Sequence, residues 1–199
     1  MYSYISEGLF RSIEEKIKDY HAGPFKDIKI DGKYWQAILN TAILEQGYET
    51  IHDVTSHAKG ADIEIKNTFG GRISCKGGSF RSDSQKRQAL KISSFRSKTY
   101  KTLTEKVSFF DEGHEDIIIS LAYTNNQSNN VWSRKLGYDY LISVINPFVS
   151  FSNLEWEDRG YRWFSKNGFM DAEICKSQSD QLWYWYPLDC IEKQFHIVL

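Results

Sequence analysis

The segment GADIEIKNTFGGRISCKGG, residues 60–78, carries the side chains with the clearest capacity for chemistry. Asp62 and Glu64 alternate with apolar residues, and Ser74 and Lys76 alternate in the same way further along. Because side chains repeat every two residues along a strand, each pair projects to one face. A carboxylate beside an ammonium group can support the metal-assisted hydrolysis of a phosphodiester. The carboxylate holds a divalent cation that activates water, and the lysine orients the nucleophile or offsets the charge that develops on the phosphate.

Two short alternating runs, residues 61–66 and 72–76, flank the Gly-rich turn NTFGG. Alternation on both sides of such a turn predicts a β-hairpin. The hairpin would bring Asp62 opposite the region of Ser74 and Lys76. We therefore expect the carboxylate and the ammonium group to meet near the middle of a sheet.

Helices are expected before this hairpin. Apolar residues recur at helical spacing over residues 6–20 and again over residues 33–46, and Gly47 supplies a stop signal. A short extended stretch at 48–52 then leads into the hairpin.

Further elements are expected after the hairpin. Thr102-x-x-Glu105 has the form of a capping box that opens a helix. The continuous apolar run IIISLAY, residues 117–123, is typical of a strand buried on both faces. The remaining predicted elements are strands at 138–145, 172–176 and 182–186 and a final short helix near 188–194. This order predicts an α/β fold with a mixed central sheet.

The composition is that of an ordinary globular chain, with 199 residues, 41% hydrophobic and 26% charged. Three cysteines without a CxxC spacing disfavour a disulfide framework and a structural zinc site. No apolar run reaches the roughly 18–20 residues of a membrane span, and the N-terminus lacks a signal-peptide pattern. We expect a reduced, cytoplasmic protein with no membrane partner. The motifs GxxxxGK(S/T), HExxH, GxSxG and GxGxxG are absent, which disfavours the enzymes that they mark.

A formal net charge of −1 hides a basic stretch at residues 77–101. Seven basic residues in it face one acid, Asp83. A near-neutral chain with one such stretch is typical of a selective polyanion-binding face and not of a nonspecific nucleic-acid coat. The alternative interpretation is a solvated charged loop.

The run GAD, then GG, then SCKGG resembles the core of the PD-(D/E)XK nuclease superfamily. In that core one hairpin strand carries an Asp and the next ends in acid-x-Lys. Type II restriction endonucleases and Holliday junction resolvases share it. The resemblance covers roughly residues 30–125 and implies a restriction-endonuclease-like three-layer fold, with a central mixed β-sheet flanked by helices. It implies a single domain over residues 1–199, in which 77–101 and 126–199 serve recognition and dimerisation.

The resemblance assigns roles to the hairpin residues. Asp62 is the metal-binding Asp and Lys76 is the motif lysine. Ser74 stands at the acid position, a departure that also occurs in some restriction-enzyme branches. The main-chain carbonyl of Cys75 helps to hold the metal.

A helix residue is also implicated. Resolvase-like relatives carry a catalytic Glu about three helical turns before a Gly-aromatic pair. Counting back from Gly47 and Tyr48 places that position at Gln36, which is an amide here. Ser74 and Gln36 would complete the surroundings of the metal, and Glu64 is the best remaining second carboxylate.

The resemblance to type II restriction endonucleases implies Mg²⁺-dependent cleavage of double-stranded DNA at a short, palindromic sequence, with Mn²⁺ as a substitute. Two active sites related by a two-fold axis match a palindrome, so we expect a homodimer. The class also implies a cognate DNA methyltransferase that protects host DNA.

The chain after Lys76 would lie against the phosphates, where hydroxyl, amide and basic side chains donate hydrogen bonds. A turn-like SQSD near the end of the chain offers side chains suited to base edges. The predicted DNA-binding residues are Ser79, Arg81, Lys86, Arg87, Lys91, Ser94, Arg96 and Lys98 in the basic stretch, and Gln178, Asp180 and Gln181 at the turn. The alternative for the turn is a polar hairpin tip on an aromatic core strand.

Two other functions remain open at this stage. One is a structure-specific nuclease of DNA repair or of Holliday junctions, although the chain is longer than a minimal core requires. The other is a catalytically inactive DNA-binding or scaffold module of the same fold.

Overall fold

The computed structural model describes residues 2–24, 28–52, 61–112, 115–123, 139–146, 150–166, 169–191 and 193–199. Three α-helices lie in these residues: α1 at Glu7–Ala22, α2 at Gly32–Glu45 and α3 at Leu103–Asp111. Each begins with a side-chain cap, from Ser6, Asp31 or Thr102, that accepts a hydrogen bond from a free N–H of the first turn. Thr102 and Glu105 form both bonds of the predicted capping box.

Eleven strands belong to one mixed sheet in the described residues. They are β1 (Thr50–His52), β2 (Ile63–Ile65), β3 (Arg72–Ser82), β4 (Gln88–Arg96), β5 (Ile117–Tyr123), β6 (Tyr140–Ile145), β7 (Trp156–Asp158), β8 (Arg162–Lys166), β9 (Asp171–Cys175), β10 (Gln181–Pro187) and β11 (Lys193–Ile197). Their order is β11-β6-β5-β3-β4-β10-β9-β8-β7, while β2 pairs with β3 and β1 pairs with β2 beside this path.

Strand β3 is the organising element of the sheet. It pairs in parallel with β5 on one side, in the register Ser74 to Ile118. On its other side it pairs antiparallel first with β2 and then, further along, with β4. The predicted hairpin of β2 and β3 is confirmed, and it places Ile63 opposite Ile73.

Helices cover both faces of the sheet and so create two apolar cores. On one face α1 and α2 pack on β3, β5 and β6, and Trp35 donates from its indole Nε1 to the carbonyl of Ile119 at 3.2 Å. On the other face α3 contributes Phe110 to a second core that also contains Leu90 and Tyr184. The α/β class with a mixed sheet is confirmed.

The predicted final helix near 188–194 is wrong. Leu188–Cys190 form one turn of 3₁₀ helix, and the chain then continues as β11, which pairs antiparallel with β6. Phe195 in β11 stacks on Phe10 with ring centroids 5.3 Å apart, and Ile197 is buried. These long-range contacts override the local helical spacing, as is common for short segments.

The basic stretch is largely an antiparallel hairpin and not a solvated loop. The strand predicted at 72–76 continues to Ser82, and the chain returns as β4. Asp83 closes the turn, because its Oδ1 accepts from the backbone N–H groups of Gln85 and Arg87 at 2.9 and 2.8 Å.

None of the helices in the described part of the chain has the length and apolar character that crossing a membrane requires.

Candidate active site

A gap in the strand pairing beside β3 forms the candidate site. Pairing of β2 with β3 reaches Ile73, and pairing of β4 with β3 begins at Gly78. The intervening residues of β3 therefore have no partner strand on this side among the described residues. Asp62 lies at the edge of the gap, where its N–H donates to the carbonyl of Ile73 at 2.8 Å.

Four groups converge on the Asp62 carboxylate. Gln36 Nε2 donates to Oδ1 at 3.0 Å. Ser74 Oγ and the Cys75 N–H donate to Oδ2 at 3.2 and 2.6 Å, and Lys76 Nζ lies 3.8 Å from Oδ2. The structure thus brings together the four side chains that the sequence singled out, one from α2 and three from the hairpin. Their chemical roles stay predictions.

The Asp62–Lys76 pair is sheltered but reachable from solvent. The side chains of Lys76 and Asp62 are 20% and 24% exposed. The Lys76 ammonium group lies 5.9 Å from the centroid of the Phe95 ring, which shields one side of it. A partly desolvated ion pair at the surface is well suited to engage a charged ligand, since its electrostatic interactions are stronger than in bulk water.

Cys75 contributes its backbone and not its thiol. Burial raises the pKa of the Cys75 thiol well above its usual range, so the sulfur is not a ready nucleophile. The N–H and C=O of one strand residue point to the same side. Because the Cys75 N–H donates to Asp62, the Cys75 carbonyl also faces the gap.

Glu64 is not joined to this group. Its side chain is exposed on β2 opposite Arg72, and none of the contacts found among the described residues links it to Asp62. The hairpin therefore brings only one carboxylate, that of Asp62, to the gap.

Glu115 is a carboxylate near the site that the sequence pattern did not reveal. Its side chain is only 8% exposed, and its Oε2 is buried without a hydrogen-bond partner in the described structure. Burial raises the pKa of Glu115 to about 7, an effect that the nearby Lys76 charge opposes and the Asp62 charge reinforces. The signal that could have found it is its place just before the apolar run of β5, which pairs with β3.

The oxygen atoms around the gap fit a hard divalent cation such as Mg²⁺ or Mn²⁺. Asp62 Oδ1 has one protein donor, and the Gln36 amide can present its oxygen to a cation if it turns over. The Cys75 carbonyl adds a third oxygen. No group of three or more His, Cys, Asp or Glu side chains within the described ranges is arranged to hold a metal. A cation here would therefore keep water ligands, as Mg²⁺ commonly does.

The predicted base-reading turn between β9 and β10 is held by contacts within the protein. Asp180 Oδ2 lies 3.2 Å from the buried Lys106 Nζ of α3. The exposed Gln178 accepts from Trp183 Nε1 at 3.0 Å through its Oε1, and Gln181 Nε2 donates to the Ser94 carbonyl at 3.5 Å. The polar hairpin tip is thus present, and base contacts by these side chains stay a prediction.

The predicted phosphate-binding residues differ in their exposure and in their contacts within the protein. Arg87 is committed to the fold, because its Nε donates to Asp83 Oδ2 at 2.7 Å and its guanidinium donates to the Phe169 carbonyl at 2.8 Å. Lys86, Arg96 and Lys98 are exposed at or beyond the strand ends. Ser79 and Ser94 are half-buried within the hairpin strands.

Arg81 and Lys91 lie on a face of the sheet that carries aromatic side chains; we call Arg81, Lys91, Trp183 and Trp185 the open face. The Lys91 ammonium group lies 4.5 Å from the centroids of both tryptophan rings. Burial between these rings lowers the pKa of Lys91. All four side chains remain at least partly exposed, so a ligand can reach them.

Comparisons of the chain with protein-family models, with curated proteins and with solved structures found no match. The case for a function therefore rests on the residues of the gap and their geometry.

Proposed function

We propose that the protein is a Mg²⁺-dependent endodeoxyribonuclease of the PD-(D/E)XK type that cuts double-stranded DNA at a short sequence. One observation carries the proposal: Asp62 and Lys76 lie 3.8 Å apart in a gap of the sheet, with Gln36, Ser74 and Cys75 bonded to the same carboxylate. An Asp beside the motif lysine is the part of the superfamily's strand pattern that this grouping reproduces, with Ser74 in place of its second acid. The helices on both faces of the mixed sheet support a restriction-endonuclease-like fold.

Each residue of the gap has a defined task in this proposal. Asp62 Oδ1, the Cys75 carbonyl and the Gln36 amide would hold the cation, because their oxygens are the hard ligands present. These residues would thereby hold a Lewis acid that could polarise a phosphate and lower the pKa of a water molecule. Ser74 Oγ and the Cys75 N–H fix Asp62 Oδ2 and so orient the carboxylate.

Lys76 would act on the substrate side of the carboxylate. Its ammonium group has three donors and is not bonded closely to Asp62, at 3.8 Å from Oδ2. It can therefore donate to the attacking water and to a phosphate oxygen. In a partly desolvated site such a donor offsets negative charge as it develops on the phosphate.

The open face and the β3–β4 hairpin would position the DNA. Arg81 and Lys91 supply positive charge and the hairpin continues directly from Lys76, so the same strand carries the reaction site and the phosphate contacts. The proposal also includes a homodimer that acts on a palindromic site, and a companion methyltransferase that protects host DNA.

The test is incubation of the purified protein with unmethylated phage and plasmid DNA in Mg²⁺ or EDTA, followed by sequencing of the DNA ends. The proposal requires discrete Mg²⁺-dependent fragments whose ends share one short sequence. Smeared products, or cleavage of branched junctions only, would instead support a structure-specific nuclease. A folded protein that cuts none of these substrates would support a scaffold module.

A further inference from the structure

Glu115 is a buried residue whose carboxyl group interacts electrostatically with Lys76 and Asp62 of the candidate site. It is 8% exposed, its Oε2 has no hydrogen-bond partner in the described structure, and none of the described ion pairs includes it. A buried carboxylate oxygen without a hydrogen-bond partner is costly to the fold, most of all when the group is ionised. Such a residue calls for a ligand or a function that offsets this cost.

The chain around Glu115 is held firmly against β3. The Asp116 N–H donates to the Arg72 carbonyl at 2.8 Å, and the Arg72 N–H donates to Asp116 Oδ2 at 2.9 Å. Strand β5 begins its parallel pairing with β3 at Ile117, two residues after Glu115. Glu115 is therefore followed directly by a residue that is bonded to Arg72 in both directions and then by the paired strand β5.

Glu115 precedes the strand that pairs in parallel with the Ser74 segment of β3. Ser74 pairs with Ile118 of β5, so the chain that carries Glu115 adjoins the strand that lacks an acid. The charges of Lys76 and Asp62 both act on Glu115, which places it within electrostatic reach of the gap. Glu64, the other candidate for a second carboxylate, is exposed on β2.

We propose that Glu115 supplies the second carboxylate of the site and binds the divalent cation together with Asp62. The proposal rests on the proposed nuclease function and adds a ligand from β5 that the strand motif does not contain. The buried, unpartnered Oε2 of Glu115 would then face a cation in the loaded protein. A hard cation accepts such an oxygen in its charged form.

The test is titration of the full chain with Mn²⁺ alone, with free Mn²⁺ followed by electron paramagnetic resonance. Wild type is compared with Glu115→Gln, with Asp62→Asn and with the matched control Glu64→Gln. We expect Glu115→Gln to weaken Mn²⁺ binding by at least about tenfold, as the loss of a metal-site carboxylate does. Glu64→Gln should stay within about twofold of wild type, because the exposed Glu64 is not joined to Asp62.

Glu115→Asp serves as a second variant if Glu115→Gln does not fold. It keeps the charge but withdraws the carboxylate by one methylene, so it should also weaken Mn²⁺ binding. Wild-type affinity in the folded Glu115 variants, with binding lost in Asp62→Asn, would overturn the role of Glu115 and leave the nuclease proposal standing. A wild-type protein that cuts DNA in Mg²⁺ but binds no Mn²⁺ would also overturn the role of Glu115, and the nuclease proposal would stand. A protein that neither binds Mn²⁺ nor cuts DNA would overturn both proposals.

Discussion

Single residues decide whether the gap is a metal site. Asp62 Oδ2 is occupied by donors from Ser74 and Cys75, whereas Oδ1 has only the Gln36 amide. The carboxylate is thus oriented on one side and available on the other. Alternation along the hairpin predicts Ser74 near Asp62, whereas Gln36 is predicted from the resemblance to resolvase-like proteins.

The sequence did not predict a role for Glu115, and the reason is physical. Its place next to β3 depends on the parallel pairing of β5 with β3, and parallel strands are joined by long connections that no local pattern encodes. Acids before a strand are common, so the type of residue alone carries no signal.

The amide at Gln36 provides a test of the cation site. Replacing Gln36 with Glu removes the donor 3.0 Å from Asp62 Oδ1 and places two carboxylates side by side. We expect the metal-free variant to lose about 1–3 kcal/mol of unfolding free energy and Mg²⁺ to restore most of it. Thermal unfolding with and without Mg²⁺ measures the effect. Ala37→Glu, an exposed neighbour on α2, is the control, and an equal Mg²⁺ response in both variants would contradict the prediction.

The pH dependence of stability tests the burial of Glu115. Its pKa is raised from 4.5 to about 7, first by burial, with Lys76 and Arg72 opposing and Asp62 reinforcing the shift. Between these two values the folded state holds a proton that the unfolded state has lost, so stability falls as the pH rises. We expect a loss of about 3 kcal/mol in EDTA between pH 4.5 and 7. Urea unfolding across this range measures it, and Glu115→Gln should remove this contribution. The same slope in both proteins would contradict the account.

At the scale of elements, the hairpin of β2 and β3, both long helices and the capped α3 follow from local pattern. The extension of β3 to Ser82 and the return of the chain as β4 do not follow from local pattern. The segment from Gly77 to Gln88 is rich in Gly, Ser and charged residues, which locally favour turns and loops. Burial of Phe80 and Leu90 in the core that they share with α3 favours a hairpin, and a local sequence pattern does not encode that burial.

Adjacent glycines in β3 give a matched test of this hairpin. A Cβ at Gly78 would lie 2.6 Å from Leu90 Cδ1, whereas a Cβ at Gly77 would meet nothing within 4 Å. Because Leu90 is fully buried, it has little room to move. We expect Gly78→Ala to cost about 1–3 kcal/mol of unfolding free energy. Gly77→Ala should change it by less than about 1 kcal/mol. Urea unfolding measures both changes. Equal losses of unfolding free energy in the two variants would contradict the packing of β3 on β4.

At the scale of the whole molecule, a near-neutral chain gathers positive charge and aromatic rings on one part of its sheet. The formal net charge of −1 does not favour indiscriminate binding to nucleic acid. Binding by the open face should therefore depend on a few cations, of which Lys91 between Trp183 and Trp185 is the most firmly placed. The basic stretch predicted a polyanion-binding region, but the aromatic partners come from β10, about 90 residues later.

Salt dependence of DNA binding tests the open face. Replacing Lys91 with Ala removes one cation from the proposed phosphate-binding surface. We expect weaker binding and a slope of log affinity against log salt that is smaller in magnitude by about 1. Fluorescence anisotropy with labelled duplex DNA in Ca²⁺ measures both. Lys18→Ala on α1 is the control, and an unchanged slope for Lys91→Ala would contradict the role of the open face.

The most direct test of the central claim is the rate of Mg²⁺-dependent cleavage of unmethylated phage DNA by wild type, Asp62→Asn and Lys76→Ala. We predict cleavage by wild type in Mg²⁺ and none in EDTA. In each variant we expect the cleavage rate to fall by at least about a hundredfold, with melting temperatures and DNA affinities near those of wild type. Cleavage at the wild-type rate by either folded variant would contradict the assignment of the Asp62–Lys76 gap as the active site.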